Sequence, residues 1–247
     1  MKILVLDIET SYNVANVWGL FKQNVSLSQL QEVSRVICFG ARWHGETRQK
    51  TMFYSDFHHG HAEMIQKAHD LLDQADVVVH YNGTSFDIPH LQREFLLAGL
   101  GPTSSFQQID LLKIVRNKFK FVSNKLDHVS QQLGLSGKAS HAGFQLWVDC
   151  LAGDPKAWKS MKKYNIQDVV LTDDLYLLVR PWITNHPSYA LYDGTADTCP
   201  NCGSPDLVRR GFKYTNLGKY QQYRCSGCGA WSRSGRSEQL TDLRGSA

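Results

Sequence analysis

The chain opens on an aliphatic run, Ile3 to Leu6, followed by two carboxylates one residue apart, Asp7 and Glu9. An uninterrupted apolar run of this length reads as a strand buried on both faces, broken where the acids begin. Side chains two apart on a strand share a side, so both acids are expected to project from one face at its end. Like charges there repel unless a cation lies between them, and a solvated loop after the strand is the plainer alternative. Residues 11–34 show no clean period and read as an insertion, with a short helix near Ser28–Glu32 and with Tyr12, Trp18 and Phe21 either lining a substrate groove or, more simply, pinning the loop.

Regular periods then return. Arg35–Trp43 and Gln49–Tyr54 read as strands joined by the turn His44-Gly45-Glu46. His61–Gln74 has helical spacing through Met64, Ile65, Ala68, Leu71 and Leu72, and leads into a buried strand, Asp76–His80. Tyr81–Asp87 (YNGTSFD) is a glycine turn opening a helix over Ile88–Leu97. Asp87 therefore stands at a strand-to-helix junction, where α/β folds place functional groups and where aspartate also serves as a helix cap. Gln107–Leu111 reads as a strand carrying Asp110, and Lys125–Leu135 as a helix ending at Gly134. Between them Lys113, Arg116, Lys118, Lys120 and Lys125 interleave with Val115, Phe119 and Phe121. That pattern fits a solvated face over a hydrophobic seam, or a groove tracking a phosphate backbone.

The last long pattern starts at Asp154-Pro155, an acidic cap followed by proline at the first helical position, and ends near Arg180-Pro181. Met161, Tyr164, Asp168, Leu171 and Leu175 recur at steps of three and four, which puts Asp168 inside a core-facing stripe. A buried carboxylate demands a partner, and no basic residue shares the stripe, so a metal held with other carboxylates is the natural one. Strands alternating with helices predict an α/β domain with a mixed sheet.

Composition adds a second unit. Of 247 residues, 42% are hydrophobic and 20% charged, as in ordinary globular proteins. The N-terminus enters a strand directly and no apolar run is long enough to span a bilayer, so the expectation is a cytoplasmic protein without membrane contact. The net charge of +4 is divided unevenly. Residues 1–197 hold 19 Lys/Arg against 20 Asp/Glu, whereas residues 198–247 hold 8 against 3. A basic appendage on a near-neutral body suggests docking on a polyanion. Cys199, Cys202, Cys225 and Cys228 give C-x2-C-x22-C-x2-C, spacing that closes a tetrahedral Zn2+ site, while Cys38 and Cys150 stand alone in apolar settings as core thiols.

Taken together, DIET, NGTSFD and YNIQD resemble, in residues, order and placement, the motifs of the DEDD superfamily of 3′-to-5′ exonucleases, over roughly residues 1–182. Lys163 occupies the place where the histidine branch carries His, and Tyr164-x-x-x-Asp168 is similar to the tyrosine branch. The whole layout, with VWGLFKQNV and the C-terminal extension, also resembles exonuclease-like proteins of tailed phages. The resemblance implies a ribonuclease H-like mixed sheet flanked by helices, plus a small C-terminal zinc ribbon. It implies that Asp7, Glu9, Asp87 and Asp168 bind two Mg2+ or Mn2+ ions for two-metal-ion hydrolysis. Tyr164 would orient water, since an unperturbed phenol titrates near pH 10. Asn82 and Phe86 would shape the pocket for the terminal nucleotide.

The expected organisation is an exonuclease domain over 1–182, a linker over 183–197, one structural Zn2+ in a ribbon over 198–236, and a flexible tail over 237–247. Arg209, Arg210 and Lys213, with Arg224, Arg233 and nearby Tyr214, Tyr220, Tyr223 and Trp231, offer charge and stacking surfaces for nucleic acid. The leading expectation is a metal-dependent exonuclease acting on single-stranded DNA in preference to RNA, with a replicative polymerase as a partner, in the host cytoplasm if phage-encoded. The alternatives are an RNA-directed exonuclease of the same chemistry, or a non-catalytic binding subunit associated with a polymerase.

Overall fold

The computed structural model describes residues 1–135, 143–193 and 197–244. The chain divides into two compact units, residues 2–175 and residues 176–247 with Met1. In chain order the first unit holds strands β1 (Ile3–Thr10), β2 (Val14–Ala15), β3 (Leu30–Glu32), β4 (Val36–Trp43) and β5 (Met52–Ser55), then helices α1 (Asp56–His59) and α2 (His61–Asp73). There follow β6 (Val77–His80), α3 (Asp87–Leu97), β7 (Gln107–Asp110), α4 (Leu111–Lys118), α5 (Leu126–Gln132) and α6 (Gln145–Leu151). The long helix α7 (Pro155–Val179) runs on past the unit's end.

The main sheet has the order β5-β4-β1-β6-β7, antiparallel on the β4–β5 side of β1 and parallel on the β6–β7 side. Its central position explains the uninterrupted apolar run of β1, because both faces of that strand are covered. Leu4, Leu6 and Ile8 pack with Met64, Ile65, Leu91 and Phe95 of α2 and α3. The odd-numbered positions point the other way, and there Asp7 and Glu9 stand opposite Gly40 and Cys38 of β4. Cys38 belongs to a cluster with Trp158, Met161 and Tyr164, so the two acids face the α6–α7 layer. The strand does not break at the acids as expected; it runs through them to Thr10.

α7 is fixed to β4 at three levels. Cys38 meets the Met161–Tyr164 level, and Gly40 meets Asn165 and Val169. Beyond them the Nε of buried Arg42 lies 3.2 Å from Asp173 Oδ2, while His44 Nδ1 lies 2.6 Å from Oδ1. The expected stripe of Met161, Tyr164, Asp168, Leu171 and Leu175 is buried throughout. Each large apolar member of such a stripe contributes about 1.5–3 kcal/mol.

Several local expectations change. Ser28–Glu32 is a single 3-10 turn, Leu27–Gln29, followed by β3, because Leu30 and Val14 lie in pairing strands. Trp18 and Phe21 do not pin the insertion: they are 98% and 87% exposed, whereas Tyr12 packs on Phe144 with ring centroids 5.0 Å apart. The first part of the basic stretch folds as α4, with Leu111, Leu112 and Val115 on the core side. The short helix α6 carries Leu146 and Cys150 into the core and lacked a long enough run to be read from its period.

In the second unit, a short helix α8 (Ala190–Asp193) precedes the strands β8 (Leu207–Tyr214), β9 (Gly218–Cys225), β10 (Trp231–Arg233) and β11 (Gln239–Leu240), all three others pairing antiparallel with β9. The unit boundary falls inside α7, not at 182. The expected linker 183–197 is partly packed: Asn201 Nδ2 donates to the carbonyls of Arg180 and Ile183 at 2.7 and 2.9 Å, and the Tyr189 N–H to that of Pro200. Its residues 194–196, and 245–247 of the expected tail, lie outside the described residues. Gln239 and Leu240 of that tail pair with Lys219 and Gly218, so the sheet extends past residue 236.

The Arg42–Asp173 pair is more than nine-tenths buried on both sides. Asp173→Ala should leave the Arg42 charge buried without its carboxylate, at a cost of about 3–5 kcal/mol. A urea titration followed by circular dichroism should show that loss, and an unchanged midpoint would show the pair is dispensable.

Candidate active site and metal centre

The first site forms where β1 and β6, parallel neighbours, reach their carboxyl ends, the usual place for ligand crevices in α/β sheets. β6 pairs with β1 only as far as Val5 opposite Val79, so the next part of β1 has no strand on that side. Asp87 fills the gap. Its Oδ1 accepts from the Ile8 N–H at 3.0 Å, which seats this acid between Asp7 and Glu9 along the strand. Asp87 therefore does not cap its own helix; it is the first residue of α3 and Phe86 precedes it without a side-chain cap. Burial pushes its pKa up to about 7, with the charge of Asp110 adding and the Ile8 N–H opposing.

The turn before Asp87 is held from below. Asp110 Oδ1 accepts from the N–H groups of Asn82 and Leu112 at 3.0 and 3.1 Å. His80 Nδ1 accepts from the Gly83 N–H at 2.9 Å, which leaves the ring proton on Nε2, 3.1 Å from Gln108 Oε1. Burial holds the His80 pKa below its ordinary value, so the ring is neutral. A Cβ on Gly83 would fall 2.3 Å from the His80 ring, which explains glycine there. Asn82 takes φ +73°, a left-handed conformation asparagine tolerates.

A cleft of about 570 Å³ is lined by Asp7 from β1 and Asp168 from α7, together with Tyr81, Asn82, Arg116 and Lys125. The structure thus brings Asp7, Asp168 and Asn82 to one cavity and adds two cations of the basic stretch. Glu9, Asp87, Phe86 and Tyr164 are not part of its lining. Phe86 packs on His90 with centroids 4.5 Å apart, and Tyr164 is buried edge-to-face against Trp147 at 6.0 Å. Among the described residues, the oxygens of the four acids do not gather three at a time within 4.8 Å of one another.

Asn165 is the residue that sequence reasoning missed. It is fully buried, and its Nδ2 donates to Asp7 Oδ2 at 2.8 Å and to the Asp7 carbonyl at 3.2 Å. Its place three residues before Asp168, on the same helical side, was the available signal.

The second site is in the C-terminal unit. Cys199, Cys202, Cys225 and Cys228 place their sulfurs within 4.8 Å of one another. The Cys199–Cys228 and Cys202–Cys225 separations are both 3.7 Å, too long for disulfides. Four sulfurs about 2.3 Å from a central zinc stand about 3.8 Å apart, so the cluster fits a tetrahedral ion. Burial pushes the Cys199 and Cys228 thiols up, the latter to about 11. At Cys225 burial is outweighed by hydrogen bonds from the Cys228 and Gly227 N–H groups and from neighbouring thiols, which bring it down to about 7. A cation among the sulfurs would offset the charge of the thiolate form. Among the described residues, the buried cluster at these strands is Cys199, Cys225 and Ala230, with Cys202, Leu207 and Cys228 packed against it, too little to hold four strands unaided.

Around the cluster, Arg209 and Arg236 line a concavity of about 900 Å³ with Tyr223, and Arg210 lines another with Arg224. Lys213 lies opposite Tyr220, whose ring is covered by the Arg233 guanidinium at 4.0 Å, while Tyr214 and Trp231 stay exposed. The Tyr220 face is therefore taken by its own chain. Cys38 and Cys150 are buried free thiols, and burial holds both above the ordinary thiol range.

The purified chain should carry about one equivalent of zinc, released by a mercurial reagent. Cys202→Ser should abolish that zinc and lower the protease resistance of 198–240. Full zinc content in the variant would remove Cys202 from the ligand set.

No helix among the described residues is long and apolar enough to cross a membrane. No match is found among curated proteins. Among solved structures, the family B DNA polymerase from the hyperthermophilic archaeon Pyrobaculum calidifontis is similar over 90% of this chain, at 15% identity and a TM-score of 0.54. The chain spans about a third of that polymerase (33%), and the likeness is one of fold. In sequence, residues 27–180, more than half of the chain, match the RNase_H superfamily. With its mixed five-stranded sheet and flanking helices, this chain belongs to the RNase_H superfamily.

Proposed function

We propose that the first unit is a nuclease of the tyrosine-branch DEDD type, removing nucleotides one at a time from the 3′ ends of single-stranded DNA. The observation that carries the reading is the cleft in which Asp7 and Asp168, distant in sequence, face the same space as Arg116 and Lys125. Carboxylates at one place and cations at another suit a phosphodiester whose scissile group needs activation while its neighbours need holding. The likeness in fold to a DNA polymerase supports DNA as the polymer, and a separate polymerase would be a fitting partner for this chain.

Asp7, Glu9, Asp87 and Asp168 would hold divalent ions, and an all-oxygen donor set suits Mg2+ or Mn2+. When bound, such ions offset charge developing on the phosphate and the departing oxygen. In the hydrolysis a water oxygen bonds to phosphorus and the bond to the 3′-oxygen of the shortened strand breaks, with that oxygen taking up a proton. Asn82, which lines the cleft on its left-handed turn, would meet the terminal nucleotide. Tyr164 acts by orienting water through its hydroxyl. The zinc ribbon supplies affinity through Arg209, Arg210 and Lys213.

End-labelled oligonucleotides of DNA and RNA, single- and double-stranded, test the reading. Asp7→Ala and Asp168→Ala should each lower the rate by roughly a thousandfold with the fold retained, and EDTA should do the same. Full activity in either variant sinks the assignment, and equal cleavage of a 3′-blocked strand would indicate an endonuclease. In the same assay Tyr164→Phe should slow cleavage by roughly tenfold, the worth of one hydrogen bond. No change would make Tyr164 a packing residue only.

Replacing Arg209 and Arg236 together by Gln should weaken binding of a long single strand. It should also flatten the salt dependence by about one unit of slope for each phosphate no longer neutralised. Identical slopes would make the ribbon a protein-docking or structural element.

A further inference from the structure

Resting on that reading and deepening it, we propose that Asn165 is a positioning residue that aims the Asp7 carboxylate at a divalent cation in the cleft. Both Asn165 contacts made by Nδ2 go to Asp7, one to side-chain Oδ2 and one to the backbone carbonyl. The pair of bonds fixes the carboxylate relative to its own backbone. It also ties β1 to α7, the helix that carries Asp168.

The chemistry of the donor matters. A lysine or arginine in this place would neutralise Asp7 and compete with a cation. A carboxamide is uncharged, so it orients one oxygen and leaves the full negative charge for a metal. Partners of this kind, one step behind the ligands, orient them and tune metal affinity.

Two further observations show that the core accommodates Asn165 at a disadvantage. Its Oδ1 is buried and, among the described residues, has no hydrogen-bond partner, an arrangement that destabilises a fold relative to an apolar side chain. A Cβ on Gly40, the strand partner of Asp7, would stand 2.4 Å from that Oδ1 and 2.9 Å from Val169 Cγ2. The sheet is thus bare of a side chain at the point where the amide reaches Asp7. Packing alone gives no reason for a half-satisfied amide there; a task performed on Asp7 does.

The test is a titration of Mn2+ into the full-length, zinc-saturated chain without nucleic acid, followed by calorimetry. Asn165→Ala and Asn165→Leu should each weaken Mn2+ binding by about tenfold or more. Asn165→Leu, which removes the unsatisfied acceptor, should keep its thermal midpoint in EDTA near that of the parent, a separation a merely structural residue would not show. Raising Mn2+ should restore cleavage by both variants. Gly40→Ala, which displaces the amide from the other side, should reproduce the metal deficit and serves as the reading if neither Asn165 variant folds. Mn2+ affinity within twofold of the parent in every folded variant overturns the inference, as does a parent chain that takes up no Mn2+. A parent that binds Mn2+ yet cleaves no nucleic acid overturns the nuclease reading alone, and the ratio of affinities still decides the role of Asn165.

Discussion

Close approach of α7 to the middle of the sheet is the constraint on which the first unit depends. The helix meets β4 at Cys38, Gly40 and Arg42, alternate residues that all point to its side of the strand. At the central level there is no side chain on the sheet, and the helix fills the space with Asn165 and Val169. At the outer level the buried Arg42–Asp173 pair, with His44, fixes how far the helix slides along the strand. Rotation and translation of α7 are both set, and with them the place of Asp168 relative to Asp7. Sub-ångström errors matter at such sites, so a rigid helix on a central strand is a better mount than a loop.

The C-terminal unit is stabilised in a different way. Its buried apolar content is slight, and its strands are mostly exposed on at least one side. The sulfur cluster takes the place of a hydrophobic core, and the bonds from Asn201 to the carbonyls of Arg180 and Ile183 join the first knuckle to the end of α7. Cation–ring contacts of Lys219 on Phe212 and Arg233 on Tyr220, each at 4.0 Å, stiffen the exposed strands while keeping their charge in water.

Much of this was legible in the chain because it depends on local period. The β1 run, the stripe of α7, the glycine turn before Asp87 and the paired C-x-x-C knuckles are all short-range patterns, and each appears where it was expected. What could not be read depends on registers between distant segments. Asp87 looks like a helix cap until β6 is seen to stop pairing at Val5, and Asn165 looks like a neutral helix residue until Gly40 is placed beneath it. Arg116 and Lys125 belonged to a basic stretch whose members are otherwise solvated, and only the fold selects these two for the cleft. Tyr164 was read from a motif, but its burial against Trp147 follows from α6, which has too few residues to announce itself.

The termination of β1–β6 pairing has a historical corollary. Where a neighbouring strand would normally supply a carbonyl to Ile8, the chain uses the carboxylate of Asp87. One side chain thereby takes the place of a missing strand in the ladder. A relative that kept only the shape would still need an acceptor at the Ile8 amide. Presence of an acid at this position is thus a record of architecture, and a poor census of which members of a lineage still react.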